Sequence, residues 1–220
     1  MDTSGESTLS IVLALVVLAS GLQVAVRIPP VNRRFPIVAL IATVVIGVPS
    51  LLQFAIPAIG NALSRKPQLE LSGQWWRVLT ALLAQDGGLA GALFNLVVVA
   101  VVVFLGERAW GRWRTVVLFL APSIILNLLA VAWNASGGGS SFASDGLLLS
   151  LCSLGVLTAR RPLFLVCTGV AVAAGIVLIV ANDAHGVAIV LGAALGVLFA
   201  VLPHPVKAPP IRVQTHLPEH

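Results

Sequence analysis

Charge is what this chain most lacks. Only 10% of its 220 residues are Asp, Glu, Lys or Arg, against about 25% in an ordinary soluble domain, while 58% are hydrophobic and the mean hydropathy is +1.03. Those figures leave little room for a soluble globular fold. The 13 Lys and Arg against 8 Asp and Glu give a net charge of +5, but the positive residues fall in short clusters between apolar runs. With no long basic stripe, nucleic acid is not expected as a partner. Cysteine is almost absent: Cys152 and Cys167 both lie inside apolar runs and read as small buried hydrophobes, which excludes a disulfide framework. Histidine is equally scarce. His204, His216 and His220 follow the last apolar run, so His185 is the only imidazole in the apolar portion. One histidine without cysteines at ligand spacing cannot supply the three or four ligands of a metal site, and no metal is expected.

What is present is apolar length. A bilayer core about 30 Å thick takes about 20 mostly apolar helical residues to cross. Seven runs qualify, near 8–26, 37–58, 89–105, 115–133, 141–159, 162–181 and 185–202. None shows the period-two alternation of a membrane barrel strand, and lipid leaves backbone polar groups without partners, so the runs are expected to be helices. The expected fold class is therefore all-α, a polytopic membrane helical bundle. It divides into a first span and linker over 1–36, a membrane domain over 37–203 and a disordered tail over 204–220.

The few charges order the topology. Asp2 and Glu6 precede the first run without any Lys or Arg, while Arg27, Arg33 and Arg34 follow it, the charge order of a retained span with its N-terminus outside. Arg108, Arg112 and Arg114 mark one later connection as cytoplasmic, and Arg160 with Arg161 another; the tail carries Lys207 and Arg212. Residues 134–140 and 182–184 have no positive charge and belong outside. The exception is 60–88, which holds Arg65, Lys66 and Arg77 yet must also be outside. With Leu69, Leu71, Trp75, Trp76 and Leu79 among polar residues, it reads as an amphipathic segment at the outer interface, its rings at headgroup level. Trp110 and Trp113 read as the matching inner belt.

Polar groups inside such a bundle are costly, so each is a candidate for function or helix packing. They are Asn95, Asn127, Ser141, Ser144, Asp145, Ser150, Ser153 and His185. Nucleophilic catalysis needs one hydroxyl, one base within hydrogen-bond reach and donors for an oxyanion. Runs 141–159 and 185–202 both start on the outer side, so Ser141 and His185 enter the membrane at similar depth. Gly137, Gly138 and Gly139 before Ser141 supply a backbone able to turn sharply. The same features also suit an ordinary loop, a helix cap and an interfacial histidine.

Five motifs then stand in order. Gln74-Trp75-Trp76-Arg77 with Leu79-Thr80 comes first, followed by Leu93-Phe94-Asn95, then Gly106-Glu107-Arg108 with Gly111-Arg112-Trp113-Arg114. Gly139-Ser140-Ser141 follows, with Ala143 and Gly146-Leu147, and last comes Ala184-His185 with Gly192. In this order and spacing the chain, over about 37–202, resembles the rhomboid intramembrane serine proteases. The resemblance implies a six-span core with one added N-terminal span. It implies Ser141 as nucleophile, His185 as general base and then acid, and Asn95 with the Ser141 backbone N–H as oxyanion donors. The implied activity is cofactor-free cleavage of transmembrane protein substrates within the lipid bilayer.

Three positions depart from the family pattern. Gly91 stands where a histidine usually precedes the asparagine, Phe142 stands where glycine often follows the nucleophile, and Asp145 stands where an aromatic ring often packs on the histidine. Residues four apart share a helix face, so Asp145 is a candidate to orient His185, with a solvent-facing or capping role as its rival. Ser144, before Asp145-Gly146, is the alternative nucleophile. Gly91 and Phe142 also keep open a catalytically inactive, client-binding relative, and His185 with Asp145 a small transporter. The short tail and the absence of organelle targeting signals point to a bacterial plasma membrane.

Overall fold

Prolines and left-handed asparagines set where the helices begin and end. The computed structural model describes residues 8–31, 34–159 and 161–202; residues 1–7, 32–33, 160 and 203–220, with the expected tail 204–220 among them, lie outside those described. The helices are α1 (Thr8–Ala25), α2 (Ile37–Ala55), α3 (Pro57–Leu63), α4 (Pro67–Leu71) and α5 (Arg77–Thr80), then a 3-10 turn (Ala81–Leu83). They continue with α6 (Gly88–Trp110), α7 (Arg112–Ala132), α8 (Ser141–Ala159), α9 (Pro162–Val180) and α10 (Ala184–Val201). Proline occupies the first position of α3, α4 and α9, where its missing N–H is no loss. Asn134 and Asn182, at φ 56° and 61°, close α7 and α9. Each gives paired capping bonds, Ala135 N–H to Ala130 O (2.8 Å) and Asp183 N–H to Leu178 O (2.8 Å) among them, which satisfy the last carbonyls of the helix.

Seven of these helices, α1, α2 and α6 to α10, are long and apolar enough to cross a membrane. The chain is an all-α polytopic bundle with the composition of an integral membrane protein. Helix α8 is its axis: 67% of it is buried, and α10, α7, α1, α6 and α9 all pack on it. Small residues make that possible, because helices in lipid gain their contact by close packing rather than by expelling water. A Cβ on Gly192 of α10 would lie 2.2 Å from the Gly146 carbonyl oxygen of α8, and one on Gly196 would lie 2.5 Å from Ser150 Cα. Helix α1 fits against α8 in the same way, with Gly21 under Leu148 and Val24 against Gly155.

At the end of the bundle where α6 turns into α7, charged groups tie helix termini together. Glu107, 1% exposed, accepts from the Val38 and Ala39 N–H groups (2.8 and 3.2 Å) at the start of α2 and pairs with Arg112 (3.1 Å). A carboxylate on a helix N-terminus meets both its unsatisfied donors and the positive end of its dipole. Arg114 is buried and donates to the Phe199 and Leu202 carbonyls (3.1 and 3.4 Å) at the end of α10. Of the expected aromatic belt, Trp75, Trp76 and Trp113 are about half exposed, whereas Trp110 is buried and donates from Nε1 to Ser150 Oγ (3.1 Å). Trp110 is therefore a core residue, placed by that polar partner, and not an interfacial one.

Segment 57–88 is folded against the opposite end of the bundle. Arg65 is buried and donates to Ala135 O (2.7 Å) and to the Asn127 side-chain oxygen, while its backbone bridges to Gly137. Arg77 gathers the segment, donating to Asn61 O (3.0 Å), Ser64 O (2.7 Å) and Gln74 Oε1 (2.8 Å). Leu71, Trp75, Trp76 and Leu79 remain exposed, an apolar outer face over an inner polar clasp. Between the arginines sits Glu70, fully buried, and that burial pushes its carboxyl above the ordinary value despite the nearby Arg65 and Arg77 charges. A carboxyl raised in the folded state contributes most below its unfolded value, and that contribution is lost as pH rises through the folded value. Glu70→Gln, which removes the buried charge and keeps the shape, is accordingly expected to raise Tm at pH 8. The gain should vanish below about pH 4, where glutamate is protonated in both states. Thermal scans of both proteins in detergent across that range measure it.

Candidate active site

The capped end of α7 leads into residues 135–140, which run across the segment just described before α8 starts at Ser141. Two glycines are needed there. Gly137 has φ +136°, and a Cβ on Gly138 would come within 2.8 Å of Ala84 Cβ. The loop is fastened by Gly138 N–H to Asp86 Oδ2 (2.6 Å) and Gly139 N–H to Ala81 O (2.9 Å). Ser141 thus occupies the first turn of α8, where backbone N–H groups have no partner within the helix and face any incoming anion.

On the adjoining helix, Asn182 ends α9 and delivers Asp183 as the N-cap of α10, with His185 in the first turn. The α8–α10 packing brings Ser141 Oγ to 2.9 Å from His185 Nε2. Asp183 Oδ1 accepts from both the His185 backbone N–H (3.0 Å) and its ring Nδ1 (2.7 Å). Burial alone would raise the Asp183 carboxyl, but the hydrogen bonds from His185 and from the Ser10 hydroxyl outweigh it and hold the group at about 2. Asp183 is therefore a carboxylate at neutral pH and can only accept. Nδ1 then carries the ring proton, and Nε2 meets Ser141 as an acceptor. The imidazole and carboxylate side chains keep 29% and 18% of their exposure, so water reaches them.

The residues expected from the sequence fall into three groups. Ser141 and His185 meet directly. Asn95 on α6 reaches the neighbourhood through Gln85: its Nδ2 donates to Gln85 Oε1 (2.9 Å), and Gln85 Nε2 donates to Ser140 Oγ (3.1 Å). Gln53 holds Gln85 in place by donating to its carbonyl (2.9 Å), and a cleft of about 300 Å3 lined by Gln53, Phe54, Asn61, Gln85 and Asp86 opens beside this network. A Cβ on Gly91, one turn before Asn95, would meet open space. Neither Asp145 nor Ser144 is hydrogen-bonded to the His185 ring, whose nitrogens meet Ser141 and Asp183. Ser144 is buried and its hydroxyl donates to Ser140 O (3.2 Å).

At His185, Nε2 is engaged by Ser141 on α8 and Nδ1 by Asp183, the N-cap of the histidine's own helix, so the carboxylate bonded to the ring is that of Asp183. The Phe142 ring packs on His185, its centroid lying 4.9 Å from that of the imidazole. Asn127 braces Arg65 and donates to Val78 O (2.9 Å), Ser150 accepts from Trp110, and Ser153 donates to Ala193 O (2.9 Å). Those three are packing groups. Asp183, Gln85 and Asp86 join these residues in the structure. Only Asp183 had a local signal, an Asp between a helix-ending Asn and a new apolar run.

Such an arrangement holds an acceptor on a hydroxyl proton, beside the first-turn N–H groups of a helix, with the imidazole partly exposed. Among the described residues no three His, Cys, Asp or Glu side chains gather as a metal cage. Compared with models of known protein families and with curated proteins, the chain matches none.

Proposed function

We propose that the chain is an intramembrane serine endopeptidase of the rhomboid type, cleaving transmembrane segments of other membrane proteins. The observation that carries the reading is the 2.9 Å contact of Ser141 Oγ with His185 Nε2 at the start of two adjoining membrane-length helices. His185 takes the Ser141 proton as Oγ attacks the scissile carbonyl, the first-turn N–H groups of α8 receive the oxyanion, and His185 returns the proton to the leaving amine. Water entering from the exposed side of the imidazole then releases the acyl group by the same relay. Asn95, steered by Gln85, is the side-chain candidate for a further oxyanion donor.

The site lies outside in this reading, in a bacterial plasma membrane, with the N-terminus outside and the C-terminus cytoplasmic. Arg65 and Arg77 support that orientation, since both are turned inward onto carbonyl oxygens and act as structural clasps rather than as free interfacial charge.

A fluorophosphonate probe tests the chemistry directly. Purified protein in detergent is expected to form one adduct, placed on Ser141 by tandem mass spectrometry and lost when the protein is denatured first. An adduct on Ser144, or none, would overturn the assignment.

A further inference from the structure

The imidazole of His185 is held from both sides, and the group behind it is not one that a serine and histidine pair needs. Asp183 is fixed in place by the closing turn of α9, where its own N–H bonds to Leu178 O (2.8 Å). Its Oδ1 then accepts from the backbone and the ring of the same histidine. The Ser10 hydroxyl, in the first turn of α1, bonds to the same carboxylate. That contact connects the site to the one span that lies outside the six-span core expected from the sequence.

We propose that Asp183 is a positioning residue that extends the Ser141–His185 pair into a Ser–His–Asp relay, with α1 contributing to it through Ser10. The inference rests on the endopeptidase reading. A carboxylate at Nδ1 fixes the tautomer that leaves Nε2 free to accept, holds the ring in plane with Ser141 Oγ, and offsets the imidazolium formed as the proton moves. No group is consumed: the proton travels from Ser141 Oγ to Nε2 and on to the leaving amine, while Asp183 stays ionised throughout. The competing structural role is a plain helix N-cap, which needs only the bond to the backbone N–H of the second helical residue.

Asn and Ser both serve as N-caps without the negative charge, and that separates the two roles. Asp183→Asn and Asp183→Ser are expected to keep α10 capped and the protein folded, with Tm lowered by less than about 10 °C through loss of the carboxylate's bonds. The same variants should slow fluorophosphonate labelling by about 10²–10⁴-fold, as loss of the carboxylate does in soluble triads. The acid limb of the labelling profile should move to lower pH as the imidazolium loses its counter-charge. Asp145, the other carboxyl acting on His185, is the control, and Asp145→Asn should change the rate far less. Ser10→Ala, losing one hydrogen bond to the carboxylate, should slow labelling by about fivefold. Equal rates for wild type and Asp183→Asn would overturn the relay, and an unchanged Ser10→Ala rate would remove α1 from it.

A readout independent of activity is the histidine tautomer. In 15N-histidine-labelled protein, with His185 assigned by its loss in His185→Gln, Nδ1 should be protonated and Nε2 bare at neutral pH. Asp183→Asn should lose that preference. A wild type that shows this tautomer but takes no probe would sink the endopeptidase reading while leaving the positioning by Asp183 intact. The opposite tautomer would overturn the positioning itself.

Discussion

Alanine at Ser141 or at His185 is expected to lower turnover of a transmembrane substrate in proteoliposomes by about a millionfold, the loss seen when either partner of such a pair is removed from a soluble serine protease. In the proposed mechanism the two groups act on one proton, so the double variant should be no worse than either single one. Stability should hardly respond. Ser141 Oγ makes its hydrogen bond to a partly exposed imidazole, and the backbone bond from His185 N–H to Asp183 survives the loss of the ring. Ser144→Ala is the companion measurement: its hydroxyl is engaged one turn back, on Ser140 O, and removing it should change the rate by less than about threefold. Substantial cleavage by His185→Ala would mean that another base serves Ser141. Equal loss in Ser144→Ala and Ser141→Ala would mean that the helix start, and not the hydroxyl, had been damaged.

Hydropathy alone locates all seven long helices, because each carries its own apolar run. The boundaries it misses are those where a charged group has a tertiary partner. The run expected at 89–105 extends as α6 to Trp110, and the next helix begins at Arg112 rather than 115, because Glu107, Arg112 and Arg114 are matched to helix ends of α2 and α10. Partners 69 and 85 residues away in the chain leave no local trace. The run 37–58 is instead divided at Ile56, where Pro57 starts α3. At the site, the pairing of Ser141 with His185 was legible from two helices entering at one depth. The orienting carboxylate was not, because a four-residue spacing says which helix face Asp145 shares with Ser141 and nothing about which ring nitrogen a neighbouring helix presents to it. Gln85 was invisible for a related reason: its bonds to Asn95 and Ser140 depend on segment 57–88 folding back over the bundle.

Gly192→Leu is expected to have the largest effect on stability, well beyond the 1–3 kcal/mol of ordinary overpacking. The obstacle is backbone: the first added carbon would sit 2.2 Å from the Gly146 carbonyl oxygen and 2.5 Å from Gly146 Cα, and neither can rotate aside. Only separation of α8 from α10 relieves it, and α8 is the helix on which five others pack. Gly192→Leu should therefore fail to give a monodisperse folded species in detergent. Gly192→Ala, carrying one carbon, should fold with Tm lowered by about 4–10 °C, from roughly 2–3 kcal/mol of strain. The same wedge stands seven residues from His185 on α10 and, across the crossing, five residues from Ser141 on α8. A displacement near 1 Å between a nucleophile and its base costs about 10²-fold in rate, so Gly192→Ala should lose that much activity at temperatures where it remains folded. Gly169→Ala on α9 is the control, since a carbon there meets nothing within 4 Å; it should match wild type in Tm and rate. A Gly192→Ala protein with both wild-type Tm and wild-type rate would show that close contact of α8 and α10 is not what sets the Ser141–His185 distance.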